Sequence, residues 1–158
     1  MAHLPPDPGA APDPKAPVPG VGVLRGAEHF AALLSGRPVS RTEHFAAYHR
    51  STDKLSTSTA NMQMHAVDGD PSEAGLVLGF VIPKRHAKRA VTRVAIRRQM
   101  RAAVVRHGAG LAAGEWALRL RVPWNPKQFR SATSAGLVDA VRAELDALLL
   151  GAVARRAR

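Results

Sequence analysis

Between Ala74 and Gly114 the chain contains no aspartate and no glutamate, yet it carries Lys84, Arg85, Lys88, Arg89, Arg93, Arg97, Arg98, Arg101 and Arg106. Arg89, Arg93, Arg97 and Arg101 recur at intervals of four, which stacks them along one side of a helix. Like charges at this spacing repel by roughly 0.2–0.5 kcal/mol per pair. With no acid inside the window to relieve them, such a row fits a surface meant to be covered by a polyanion. The same segment also carries a core stripe. At ~100° per residue, Ile96, Met100, Ala103 and Val104 share one face, and Arg93, Arg97, Arg101 and Arg98 fan over an adjacent arc of roughly 140°. A helix over Arg89–His107 is therefore anchored on one side and cationic on the next. Arginine suits that place, because its planar fork grips phosphate and stacks on bases. The plainer reading is a solvated basic face that aids solubility.

The whole chain agrees with the first reading. Its 158 residues carry a formal net charge of +11, which favours nucleic acid first and an anionic membrane surface second. Hydrophobic residues make up 46%, enough for one folded domain rather than a basic disordered arm. The absence of cysteine excludes disulfide scaffolds, zinc knuckles and thiol nucleophiles. No apolar run approaches the ~20 residues of a membrane span. A soluble cytoplasmic protein, without a membrane partner, is the expectation.

Residues 1–20 hold seven of the twelve prolines and read as a disordered Pro-rich leader. Residues 21–150 form the domain, and 151–158 a basic C-terminal tail. Within the domain, Val21–Ser35 gives a helical pattern stopped by Gly36 and Pro38. His44–Arg50 reads as a strand, Ser51–Ala60 as a Ser/Thr loop, and Asn61–Val67 as a further strand. Asp68–Pro71 is a turn. Leu76–Ile82 is a buried strand ended by Pro83. Gly108 and Gly110 end the arginine-rich helix. Glu115–Val122 alternates as a half-buried strand, with Trp116, Leu118, Leu120 and Val122 on one side and Ala117, Arg119 and Arg121 on the other. Ser134–Leu150 is a last amphipathic helix, with Ser131 or Ser134 as its cap. The order predicts an α+β fold: a compact two-layer sandwich, with one mixed, mostly antiparallel sheet of about four strands and helices packed on it.

The stretch from Phe80 to Arg101, FVIPKRHAKRAVTRVAIRRQMR, resembles the signature of the protein subunit of bacterial ribonuclease P. Lys84 and Arg85 stand at its paired lysines, Arg89-Ala90-Val91 at a small apolar step, and Arg93 at the first Arg of an Arg-Asn-Arg core. Ile96-Arg97-Arg98 stand at Ile-Lys-Arg, and Arg101 at the last Arg. Val94, Ala95 and Ala102 replace the family Asn, Arg and Glu, so those contacts are not carried over. The flanks fit over about residues 21–150. Leu24 and Phe30 resemble the first helix, and His44–Tyr48 a first strand whose aromatics line a cleft.

The resemblance implies a left-handed β-α-β crossover. It implies binding of the ribonuclease P RNA through Lys84, Arg85, Lys88, Arg89, Arg93, Arg97, Arg98 and Arg101. It implies that Phe30, Phe45 and Tyr48 line a cleft for the single-stranded 5′ leader of precursor tRNA, where base stacking on aromatics is the expected mode. It implies that the RNA and its Mg²⁺ ions cleave the phosphodiester, with no catalytic or metal-binding side chain in the protein and one protein per RNA. A non-catalytic RNA-binding or ribosome-associated protein is the alternative. Other chemistry is weaker. The histidines are scattered, with no acid–base pair at a convincing spacing. Asp68-Gly69-Asp70 lacks the remaining ligands of a calcium loop.

Overall fold

The computed structural model describes residues 21–51, 75–125, 127 and 134–156. The Pro-rich segment 1–20, the loop and strand expected over 52–67 and the turn at 68–71 lie outside them. The elements run β1 (Val21–Val23), α1 (Ala27–Leu34), β2 (Ser40–Arg41), β3 (Phe45–Arg50), β4 (Leu76–Val81), α2 (Ala90–His107), β5 (Gly114–Leu120) and α3 (Ala135–Arg156). A 3-10 turn at Gly108–Gly110 joins α2 to β5.

One five-stranded sheet takes the order β1-β4-β5-β3-β2. β4 pairs in parallel with both β1 and β5, while β3 is antiparallel to β5 and to β2. The mixed sheet with packed helices agrees with the α+β expectation. It has five strands rather than about four, and its pairings divide evenly between parallel and antiparallel. Two strands were not expected: Ser40–Arg41, and Val21–Val23, which the helical pattern had absorbed into α1. Leu24 N–H donates to Leu78 O at 2.9 Å, so these residues extend the sheet. Gly26, at φ 91°, then turns the chain into the helix.

The faces of the sheet follow from strand alternation. Phe45, Ala47, Leu76, Leu78, Trp116, Leu118 and Leu120 point to one side. There they meet Ile96, Met100, Ala103 and Val104 of α2, and Leu137, Val141, Leu145, Leu148, Leu149 and Ala152 of α3. The stripe assigned to α2 by its spacing is thus its buried face. On the other side Ala46, Tyr48 and Ala117 form a smaller cluster with Leu24 and Leu33, roofed by α1. This roof explains why β5 is buried on both faces along most of its length rather than half-buried. β5 begins at Gly114, whose φ of 130° suits glycine, and where a Cβ would collide with the Arg50 carbonyl.

Ser134 caps α3, its Oγ accepting from Leu137 N–H at 3.3 Å. The helix does not stop at Leu150 but runs through Arg156, because Leu148, Leu149 and Ala152 continue the buried stripe. Most of the segment read as a tail is therefore helical.

Leu118 has no exposed surface at the centre of the sheet, whereas Leu150 is 54% exposed on α3. Leu118→Ala should cost about 2–5 kcal/mol. Leu150→Ala should stay within about 0.5 kcal/mol. Equilibrium denaturant unfolding of the two variants checks this ordering.

Candidate nucleic-acid interface

Pro83 ends the strand that leads into α2, and the chain turns through residues 83–86, where His86 N–H donates to Pro83 O at 3.0 Å. Ala87 is 4% exposed and pins this turn to the core. Lys84, Arg85, Lys88 and Arg89 stand exposed along it. Arg89 is the N-cap in an extended conformation, with no side-chain cap. Arg93 reaches back instead, its guanidinium donating at 2.8 Å to the carbonyls of Ala87 and Lys88. Arg93 therefore organises the approach to the helix as well as contributing charge.

Arg97 and Arg98 are exposed, and Arg101 is half-buried. The ion pairs seen among the described residues reach α2 only at its C-terminal end, where Arg106 and His107 hold Asp146 of α3 at 2.6 and 2.9 Å. Positive charge there also complements the helix dipole. Arg97 and Arg98 of the arginine face are directed outward.

A cleft of about 220 Å³ opens beside that face. β1 pairs with β4 only as far as Leu78, and the cleft lies where the two strands part. Val21–Leu24, Phe30, Leu78, Gly79 and Phe80 line it, with Arg97 and Arg101 at its side. Gly79 is required here: a Cβ would overlap the Phe30 ring, which lies directly on the strand. Across the strand, the Arg101 guanidinium sits 5.8 Å from the centroid of the Phe80 ring, a cation–π geometry. Aromatic faces beside guanidinium groups are the pairing that binds single-stranded nucleic acid, bases on rings and phosphates on cations.

The expected cleft aromatics separate. Phe30 lines the cleft. Tyr48 is 8% exposed in the cluster beneath α1, with Phe30 packed against that cluster. Phe45 has no exposed surface and faces α3, its ring 6.3 Å from Trp124. Phe45 and Tyr48 are three apart on one strand, so they point to opposite sides. The reading of Phe45 as a cleft residue is corrected: it is core. Phe80 is the cleft aromatic that the reading of residues 76–82 as a continuous buried strand passed over. The glycine just before it was the available signal.

Two carboxylates, Glu115 buried and Glu144 half-buried, fix the surrounding elements. Glu115, 5% exposed on β5, accepts from Arg50 Nε at 2.9 Å and lies 3.1 Å from His29 Nδ1 of α1, which ties the roof helix to the sheet. Glu144 of α3 accepts from Thr42 Oγ1 at 2.6 Å and lies 2.9 Å from His44 Nδ1, while His44 stacks on Trp124. Among the described residues no group of three or more metal-capable side chains gathers. Nor, among them, is any helix long and apolar enough to cross a membrane.

A family model for ribonuclease P matches residues 23–146. The chain belongs to the ribonuclease P protein family. It is 32% identical over 122 residues to the ribonuclease P protein component of Paraburkholderia xenovorans (strain LB400), covering 77% of this chain and 73% of that one. It is 33% identical over 134 residues to the ribonuclease P protein component of Bordetella parapertussis, covering 85% and 94%. The Staphylococcus aureus RNase P protein structure shares the fold, at a TM-score of 0.54 and 16% identity, over 81% of this chain and 92% of that one. Within this ribonuclease P protein, of the positions that depart from the family motif Val94 is exposed on α2, and Ala95 and Ala102 are half-buried. Val94 is 38% exposed, and Val91 and Val105 flank it at 54% and 65%.

Burial pushes the Asp146 carboxyl up, but hydrogen bonds and charge from Arg106 and His107 outweigh it and hold the group below the ordinary aspartate value. A depressed folded-state value adds stability above the unfolded pKa of about 3.9, and this is lost as pH falls through the folded value. Asp146→Asn should lower stability near neutral pH and flatten the loss below about pH 4. Unfolding curves at both pH values test this, and identical acid limbs would assign the loss to other carboxylates.

Proposed function

We propose that this chain acts as the protein subunit of ribonuclease P, with α2 and the turn before it docked on the RNA component and the cleft beside β1 holding the 5′ leader of precursor tRNA. The observation that carries this reading is the junction of an acid-free arginine face with an aromatic-lined cleft. Arg97 and Arg101 belong to both, so one helix borders the structured RNA and the single strand. Lys84, Arg85, Lys88, Arg89, Arg93 and Arg98 extend the phosphate-binding surface away from the cleft. Phe30 and Phe80 offer rings for bases, and Tyr48 supports Phe30 from below.

In this reading the RNA component and its Mg²⁺ ions hydrolyse the phosphodiester. The protein neutralises backbone charge and orients the leader, with one protein on each RNA, in the cytoplasm. Each guanidinium facing phosphate displaces condensed counterions, which makes docking salt-dependent.

Adding the purified protein to its cognate ribonuclease P RNA should restore precursor-tRNA cleavage at low Mg²⁺. The ribosome-associated alternative expects no stimulation, and that result would sink the proposal. Arg98→Ala should weaken binding to the RNA component and reduce the slope of log K against log salt by about one unit or less. An unchanged slope would place Arg98 outside the interface. Phe80→Ala should lower affinity for leader-bearing substrate by about 1–3 kcal/mol while leaving RNA-subunit assembly nearly intact. Equal losses in both assays would indicate misfolding instead.

A further inference from the structure

The turn between β4 and α2 is held at its far end by a side chain. At its start, Pro83 O accepts from His86 N–H at 3.0 Å and from Ala87 N–H at 3.2 Å. The carbonyls of Ala87 and Lys88 come after that closure and before the helix. The helical ladder begins with Arg93 N–H donating to Arg89 O at 3.2 Å, so it does not serve them. Ala87 is 4% exposed and belongs to the main core cluster. A backbone carbonyl left without a donor in such a place is costly. Arg93 supplies the donors. Its Nη1 gives one proton to Ala87 O and one to Lys88 O, each at 2.8 Å.

Electrostatics would not otherwise put a cation there. Arg93 stands in the opening turn of α2, at the positive end of the helix dipole and four residues after Arg89. No acidic side chain occupies that turn to relieve it. Carbonyl oxygens, the negative ends of peptide dipoles, hold it in place instead. Arg93 is half-buried, whereas Arg89 and Arg97, its neighbours in the row, are exposed. Around it the turn exposes Lys84, Arg85, Lys88 and Arg89. The backbone that carries these cations is fixed by Pro83 at one end, by Ala87 in the core and by Arg93 at the other end.

We propose that Arg93 is a positioning residue for the phosphate-binding turn. Its part in docking on the RNA component is to hold Lys84, Arg85 and Lys88 in place through the carbonyls of Ala87 and Lys88, and the phosphate contacts come from those cations. This rests on the function proposed above. Spacing by four makes Arg89, Arg93, Arg97 and Arg101 look equivalent, yet Arg97 and Arg101 border the cleft and Arg93 is committed to the turn. Lysine does not replace it. The lysine ammonium ends one covalent bond short of Nη1 and lacks the planar fork, so charge is kept and geometry is lost.

Binding of the full-length protein to the ribonuclease P RNA separates the two roles. Arg93→Lys should weaken binding as much as Arg93→Ala, by roughly tenfold in each case. A lysine variant that binds like the unaltered protein overturns the positioning role, because charge alone would then suffice. A double-mutant cycle reads the route of the effect. Arg85→Ala should cost affinity in the unaltered protein and several-fold less in Arg93→Lys, while Arg98→Ala should cost the same in both. Equal costs of Arg85→Ala in the two backgrounds would make Arg85 and Arg93 independent phosphate contacts and overturn the inference. Hydrogen exchange in the free protein supplies the control. The His86 and Ala87 amides should exchange faster in Arg93→Lys, with the amides of β4 and β5 protected as before. Unchanged exchange in the turn, or loss of protection throughout the domain, counts against positioning. If the unaltered protein does not bind the RNA component, the docking proposed above fails, and exchange at His86 and Ala87 still decides whether Arg93 holds the turn.

Discussion

Ile96, Met100, Ala103 and Val104 leave at most 2% of their surface to water, and the position of every arginine on α2 depends on that burial. An isolated helix with this sequence would be poor. It has no acid in its first turn, no side-chain cap and like charges at i, i+4. Tertiary packing supplies what local preference does not. Once the apolar stripe is seated on the sheet and against α3, Arg97 and Arg98 stand exposed at fixed spacing, while Arg106 at the far end of the helix pairs with Asp146. Burying one side of the helix is thus the condition for leaving the other side unneutralised.

The same sheet decides where the cleft lies. β1 is only three residues long, and its parting from β4 at Leu78 opens the cleft. Glu115 ties α1 to the end of β3 and β5 through His29 and Arg50, which holds the roof helix and its Phe30 over Gly79. A buried carboxylate is costly unless it is paired and hydrogen-bonded, and here both oxygens are engaged. The cleft is therefore set by an ion-pair cluster on one side and by the α2 anchor on the other.

Much of this was legible from residue spacing. The buried face of α2 could be read directly, because four residues at helical intervals leave no other side for the core. The two faces of β5 were legible in the same way. What spacing could not supply was non-local. Val21-Gly22-Val23 is too short for any period, and only its pairing with Leu76–Leu78 makes it a strand. The parity of Phe45 and Tyr48 already sent them to opposite sides, but which side carried the cleft depended on where α1 packs. Glu115 read as one polar position on an alternating strand. Its role came from Arg50 and His29, sixty-five and eighty-six residues away in sequence.

The departures at Val94 and Ala95 acquire a meaning from this geometry. The outward ridge of α2 carries exposed Val91, Val94 and Val105, with Arg98 among them and with Arg97 and Arg101 along the flank toward the cleft. These aliphatic side chains carry no charge to pair with phosphate, so any share they take in the proposed docking would be insensitive to salt. The cationic share is then concentrated on the flank and on the turn at residues 84–89. The flank lies next to the cleft, which Arg97 and Arg101 help to line. Positive charge is thus concentrated beside the cleft, which is the placement the proposed function needs for one rigid helix to border both the RNA component and the leader.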